Sequence, residues 1–310
     1  MKDIIKLFKE IIKGLGKADI LDTRVAPSSR QYDSYFNKVF FNNNILSKLK
    51  VDKNSLVIGS CFSLRISDFL NKNFKTKIYE KNKLNLKANW GRVYSIKNIE
   101  QIIQYSAYKK KLICEESKNI FFDPLREDTI SISDNRYKLK RSILNHREQS
   151  LKAFKNASSI ILVLGTNETW YDRLNKCYWG VKPSSFIINK HPNRFVFKKI
   201  TFKEIHLSLI NSIKLLKKIN PSVKIILSLG VVPPEATYLG QSILENFFLS
   251  QGEIRNVINK IIIKKNKNVT YFPLFEYLFF RNPFIFKADN RHINEYYVKK
   301  VLNFFLRNRK

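Results

Sequence analysis

Short apolar runs punctuate a chain otherwise rich in lysine and asparagine: Leu56-Val57-Ile58, Ile160 to Leu164, and Ile225-Ile226-Leu227. Runs of this length, closed by polar residues or glycine, read as strands covered on both faces. The pattern predicts strands over 55–59, 159–164, 223–228 and 269–272, with a weaker one over 77–80. Between them, apolar residues recur at helical spacing and predict helices over 63–73, 98–108, 141–156, 202–219, 243–264 and 293–306. Residues 121–140 alternate and read as a small hairpin, while 18–53 and 171–200 read as insertions or caps. Buried strands separated by helix-length segments build a mainly parallel sheet with helices on both faces. The predicted class is therefore α/β, a doubly wound three-layer α/β/α sandwich, with ligands at the carboxyl ends of the strands.

The N-terminus carries a separate pattern. Ile4, Ile5, Phe8, Ile11, Ile12 and Leu15 fall on one helical face, with Lys2, Lys6, Lys9 and Lys13 elsewhere. Residues 1–23 thus read as an amphipathic helix and connector ahead of one domain over 24–310. Such a stripe most often packs on the protein's own core or a partner; its other use is peripheral contact with an anionic membrane through residues 1–16. No apolar run reaches the length of a membrane span, and the uninterrupted apolar stretch of a secretory signal is missing.

Composition changes this picture little. A content of 44% hydrophobic residues, with 24 Phe, argues for a packed core. The net charge of +32, from 57 Lys+Arg against 25 Asp+Glu, would suit a polyanion. The excess, however, is mostly lysine scattered among asparagine and isoleucine, as codon bias produces, and no nucleic-acid motif accompanies it, so nucleic acid is not an expected partner. Cys61, Cys114 and Cys177 are odd in number and lack CxxC spacing, which argues against a disulfide framework or zinc site. The expected location is cytoplasmic, with the inner membrane face as a peripheral alternative.

The candidate chemistry lies where the fold places ligands. Ser60 follows the first strand and precedes a helix, where its N–H would favour a developing oxyanion; its bland role is a helix cap. Cys61 is a rival nucleophile, more simply read as a small buried residue. Gly91 sits in the Asn89-Trp90-Gly91-Arg92 loop, where a glycine allows close backbone approach to a ligand, or merely makes a turn. Asn167 follows the strongest strand and offers an amide donor or a cap, and Glu168 beside it is placed to orient neighbours. Asp289 and His292 put a carboxylate and an imidazole on one turn, although Asp289 also suits an N-cap. Ser60, Asp289 and His292 together make a Ser-His-Asp set, which is recognised by roles and not by chain order. There is no Walker loop, HExxH or GxGxxG, so neither a metal nor a bound cofactor is expected.

The ordered motifs GSCF (59–62), NWGRVY (89–94), LGTNETW (164–170), SLGVVPPEAT (228–237), TYFPLFEY (270–277) and DNRH (289–292) resemble the GSCFA family, within the SGNH hydrolase superfamily. The resemblance runs from about residue 24 to 306. It implies Ser60 as nucleophile, His292 as general base and Asp289 as the group orienting the imidazole. It also implies an oxyanion hole from the N–H groups of Ser60 and Gly91 and the amide of Asn167. Trp90, Arg92, Trp170, Pro233 and Pro234 would line the substrate pocket. The chain departs from the pattern in two places: Ile58 and Gly59 replace the usual Gly-Asp before the serine, and Ser63 stands where the family has alanine. The implied activity is an acyl esterase or O-acyltransferase on a glycan or acylated sugar in polysaccharide biosynthesis, with an acyl-coenzyme as one conceivable donor. The alternative is a catalytically silent carbohydrate-binding or scaffold protein of the same fold.

Overall fold

The computed structural model describes residues 49, 51–74, 90–108, 112–117, 119–126, 131–180, 182–263, 268–281 and 285–306. The chain divides into two units, Met1–Lys50 and Val51–Lys310, and the fold described here is that of the second. The predicted N-terminal helix and the strand over 77–80 lie outside the described residues. In chain order the strands are β1 (Ser55–Gly59), β2 (Glu115–Ser117), β3 (Ile120–Phe122), β4 (Ile132–Ser133), β5 (Ser159–Leu164), β6 (Glu168–Asp172), β7 (Cys177–Trp179), β8 (Phe195–Lys199), β9 (Lys224–Leu229) and β10 (Val269–Phe272). The helices are α1 (Cys61–Phe74), α2 (Ile96–Ala107), α3 (Arg136–Asn156), α4 (Ser185–Lys190), α5 (Phe202–Ile219), α6 (Ile243–Ile263), α7 (Leu274–Arg281) and α8 (Glu295–Leu306).

The central sheet is parallel, in the order β1-β5-β9-β10, and helices flank it on both faces, as the apolar runs predict. Every residue of β1 and β5 is buried, so these strands need no polar face. Leu56 and Ile58, Ile160, Leu162 and Leu164, and Ile225, Leu227 and Leu229 share one core with α2, α3, α5 and α6. On the other side α1 packs on β1 and β5, α7 on β9, and α8 joins α1 to α7. Each aliphatic side chain so buried contributes about 1.5–3 kcal/mol, which is why the sheet can dispense with an exposed face.

Helix starts differ from prediction where a cap decides them. The third helix begins at Arg136 and not at 141, because Asn135 accepts the N–H groups of Tyr137 and Lys138. The first begins at Cys61 and not at 63, since Ser63 N–H already bonds the Ser60 carbonyl at 2.8 Å. Helix α7 went unpredicted: its sequence is apolar nearly all round, which erases the period. The hairpin read over 121–140 is present as β3 and β4, paired antiparallel, with β2 added beside β3 and the helix from Arg136 ending the span early.

The span 171–200, read as an insertion or cap, has regular structure that the pattern did not show. It carries β7, β8 and the end of β6, which form an antiparallel sheet in the order β7-β6-β8 that begins at Glu168, with α4 between β7 and β8. Its register sets Trp170 opposite both Trp179 and Phe197. Arg194 joins it to β2, with Nη2 at 2.6 Å from both Glu115 Oε1 and the fully buried Asp172 Oδ2. A buried carboxylate is tolerated only with such pairing, and a sequence pattern does not display a partner 22 residues away. No helix among the described residues is long and apolar enough to cross a membrane.

Candidate active site

Ser60 stands at the carboxyl end of β1, one residue before α1, and is 2% exposed. Gly59 makes this junction possible: its φ is +153°, and a Cβ there would overlap the Val163 carbonyl. Glycines at the ends of β5 and β9 then leave the serine room. A Cβ on Gly165 would sit 3.0 Å from Ser60 Cβ, and one on Gly230 would sit 3.0 Å from Ser60 Oγ. Ser60 Oγ has no hydrogen-bond partner among the described residues. A buried hydroxyl left unsatisfied costs about 1–3 kcal/mol, so its retention needs an explanation that packing does not supply.

Ser60 opens into a cavity of about 440 Å³. Aromatic rings dominate one wall, where Trp170, Phe197 and Tyr238 meet at centroid distances of 5.3–5.6 Å. Val232, Pro233 and Pro234, from the segment after β9, form another side, and Thr166, Glu168, Lys182 and Arg291 supply polar groups. Segment 92–95 bridges the strand ends: Val93 N–H bonds the Gly59 carbonyl, and the N–H groups of Gly165 and Thr166 bond the Tyr94 carbonyl.

Asp289 and His292 are joined on a tight turn before α8. His292 Nδ1 lies 2.6 Å from Asp289 Oδ2, while Asp289 Oδ1 accepts the N–H groups of Arg291 and His292 at 3.0 and 2.9 Å. Asn290 takes the left-handed conformation (φ 53°) that closes the turn. The hydrogen bond from the imidazole, reinforced by the two backbone donors, holds the Asp289 carboxyl well below the usual carboxylate range. Asp289 is therefore the acceptor and Nδ1–H the donor, the tautomer a general base requires. This half of the site is open to solvent, with side-chain exposures of 45% for His292 and 49% for Asp289.

Ser60 and His292 line different but adjoining cavities. The imidazole borders a second space of about 480 Å³ with Phe62, Arg65, Asp68 and Arg92. Cys61 and Val232 border both spaces. Burial pushes the Cys61 thiol up, against the lowering pull of Arg291, Arg92 and nearby backbone N–H groups.

The predicted site residues separate into three groups. Trp170, Pro233 and Pro234 line the cavity with Ser60, and Arg92 lines the one with His292. Trp90 belongs to neither: it is 1% exposed in the main core, stacked on Phe154 at 5.4 Å with ring planes 3° apart. Two of the three expected oxyanion donors are already engaged. Ser60 N–H donates to the Val163 carbonyl at 3.1 Å, and Asn167 Nδ2 donates to Glu253 Oε2 at 2.6 Å. Asn167 is fully buried, and the cavity meets its neighbours Thr166 and Glu168 instead. Gly91 keeps a φ of +67° beside the Gly59–Arg92 bridge. Sequence reasoning missed Gly230, Thr166, Lys182, Tyr238 and Arg291. Thr166, Gly230 and Arg291 had a signal, from their places in the LGTNETW, SLGVVPPEAT and DNRH motifs.

Fold and site together define a parallel α/β protein with a hydroxyl-bearing cavity at the strand ends and an adjoining carboxylate-imidazole pair. The chain belongs to the GSCFA family, whose family model matches residues 54–305. No curated protein and no solved structure matches it.

Proposed function

We propose that this protein is a serine-dependent acyl esterase or O-acyltransferase of the SGNH type, acting on a glycan or glycan precursor. The observation that carries this reading is Ser60, whose buried Oγ has no hydrogen-bond partner among the described residues, lining an aromatic-walled cavity one residue from the space that His292 borders. Aromatic faces suit sugar rings, and the cavity volume falls within the range of small-ligand sites.

In this mechanism Ser60 Oγ attacks the ester carbonyl while His292 takes its proton and Asp289 stabilises the imidazolium. Collapse of the tetrahedral intermediate expels the alcohol or thiol, which recovers the proton from His292, and leaves an acyl-serine. Water or a sugar hydroxyl, deprotonated by His292, then attacks the acyl-serine and restores Ser60. An acyl-coenzyme is a suitable donor for the transferase form. Ser60 and His292 must close into hydrogen-bond contact in the complex, a tightening that catalytic pairs commonly undergo on binding. Since Ser60 N–H and Asn167 are engaged, the Thr166 hydroxyl and the Arg291 guanidinium are the cavity groups assigned to the developing oxyanion.

The test is hydrolysis of p-nitrophenyl acetate and butyrate, with a serine-directed phosphonate read by intact mass. Wild type is expected to turn over and form one adduct, and Ser60→Ala to lose the adduct and about 10⁴-fold of the rate. Turnover unchanged in Ser60→Ala would overturn the mechanism. One observation favours a second reading, a silent carbohydrate-binding protein: Ser60 and His292 do not share a cavity. That reading expects neither turnover nor adduct, together with binding to immobilised glycans.

A further inference from the structure

The segment from Val231 to Ser242 has neither helix nor strand, yet it supplies Val232, Pro233, Pro234, Glu235, Ala236 and Tyr238 to the cavity beside Ser60. Something other than a backbone ladder must hold it. One attachment is on the Ser60 side, where Arg291 Nε donates to the Pro233 carbonyl at 3.2 Å. The other converges on a single carboxylate. Glu168, the first residue of β6, is 9% exposed and receives its hydrogen bonds from neutral donors alone among the described residues. Thr237 Oγ1–H donates to Oε1 at 2.8 Å, Tyr238 N–H donates to Oε2 at 3.3 Å, and Asn246 Nδ2 from α6 also donates to Oε1. Thr237 Oγ1 in turn accepts from Asn246 Nδ2 at 3.0 Å and from Leu239 N–H at 3.4 Å. The donors come from both sides of the cavity wall, and all of them require an acceptor at that point.

We infer that Glu168 is a positioning residue that clamps segment 231–242 against β6 and α6, and so sets which substrates fit beside Ser60. A carboxylate suits the task because it accepts at both oxygens, whereas an amide must turn a donor toward at least one of these donors. The clamp also holds the backbone of Tyr238, whose ring meets Trp170 and Phe197. The clamp itself follows from these contacts; its effect on substrate choice rests on the acyl-transfer reading.

Two measurements on the full chain separate those parts. In hydrogen exchange by mass spectrometry, Glu168→Gln and Thr237→Val should each speed exchange of segment 231–242 at least tenfold, with β5 (159–164) unchanged. Exchange at the wild-type rate in both variants, or acceleration spread evenly over the domain, would overturn the clamp. The second measurement is the ratio of labelling rates at Ser60 by a small and a bulky phosphonate. Both variants should shift that ratio at least threefold, whereas a merely structural role would lower both rates together. A loosened segment with an unchanged ratio overturns the selectivity role. If wild type forms no phosphonate adduct, the acyl-transfer reading fails by itself, and the exchange data still decide the clamp.

Discussion

The two halves of the candidate site are held in opposite ways. Ser60 is pressed among three glycines at strand ends, inside the most deeply buried layer of the protein. The Asp289–His292 pair rides an exposed turn whose geometry comes from hydrogen bonds within five residues, including Asn290 N–H to the Lys287 carbonyl at 2.9 Å. One half is positioned by packing and tolerates almost no change in volume. The other is positioned by local chemistry and tolerates change in everything but its polar groups. Substitutions should therefore separate stability from activity differently on the two sides.

Gly59→Ala should have the largest effect. The added methyl meets the Val163 carbonyl of the neighbouring strand, and neither backbone can yield without breaking the ladder. A loss of more than about 4 kcal/mol is expected, read as a collapse of the urea midpoint or failure to recover folded protein. A variant that melts like wild type would show that the junction is less rigid than its packing implies.

Asp289→Asn should do the reverse. The side chain is exposed, so the melting temperature should stay within error, while esterase turnover falls roughly 10²-fold because the imidazole loses its orienting charge. Because the carboxyl lies far below the ordinary range, it stays ionised through the physiological span. An acid limb of the activity profile between pH 5 and 8 would then belong to another group. A limb that disappeared in Asp289→Asn would contradict this.

The two histidines sharpen the contrast with the smallest expected effect. His146 is 9% exposed in α3, packed edge-on against Trp90 at 6.3 Å. Burial first, then Arg126 and Arg147, hold its pKa well below the usual value. Below the unfolded value of about 6.5, the unfolded chain binds a proton that the folded chain refuses. Stability from this group is therefore full above about pH 6.5 and falls as pH drops toward the folded value, by up to about 1.4 kcal/mol per unit. Urea titrations at pH 7.5 and 5.5 should show this slope in wild type and a reduced one in His146→Gln. Equal slopes in both proteins would mean that His146 is protonated in the fold.

These contrasts follow how much of the protein was legible. The motifs around Ser60 and at 289–292 could be read because their chemistry is local: a strand-to-helix turn, and a carboxylate three residues from an imidazole. Trp90 misled because an aromatic in a loop next to a glycine looks the same whether it faces a cavity or the core. Asn167 misled because one step along a turning chain reverses which way a side chain points, and Glu253, its partner, lies 86 residues away. Glu168, Thr237 and Asn246 meet only in three dimensions.

The sequence by itself determined the parallel sheet, most of the helices around it and the Asp289–His292 turn, since apolar periodicity and short-range hydrogen bonds need no distant partner. Tertiary structure alone decided that an antiparallel sheet walls the cavity, which glycines make room for Ser60, which donors near it are already engaged, and that Ser60 and His292 line adjoining cavities. Those outcomes depend on contacts between residues far apart in the chain, where burial makes each unsatisfied polar group and each added methyl costly, and no local pattern records which groups will meet.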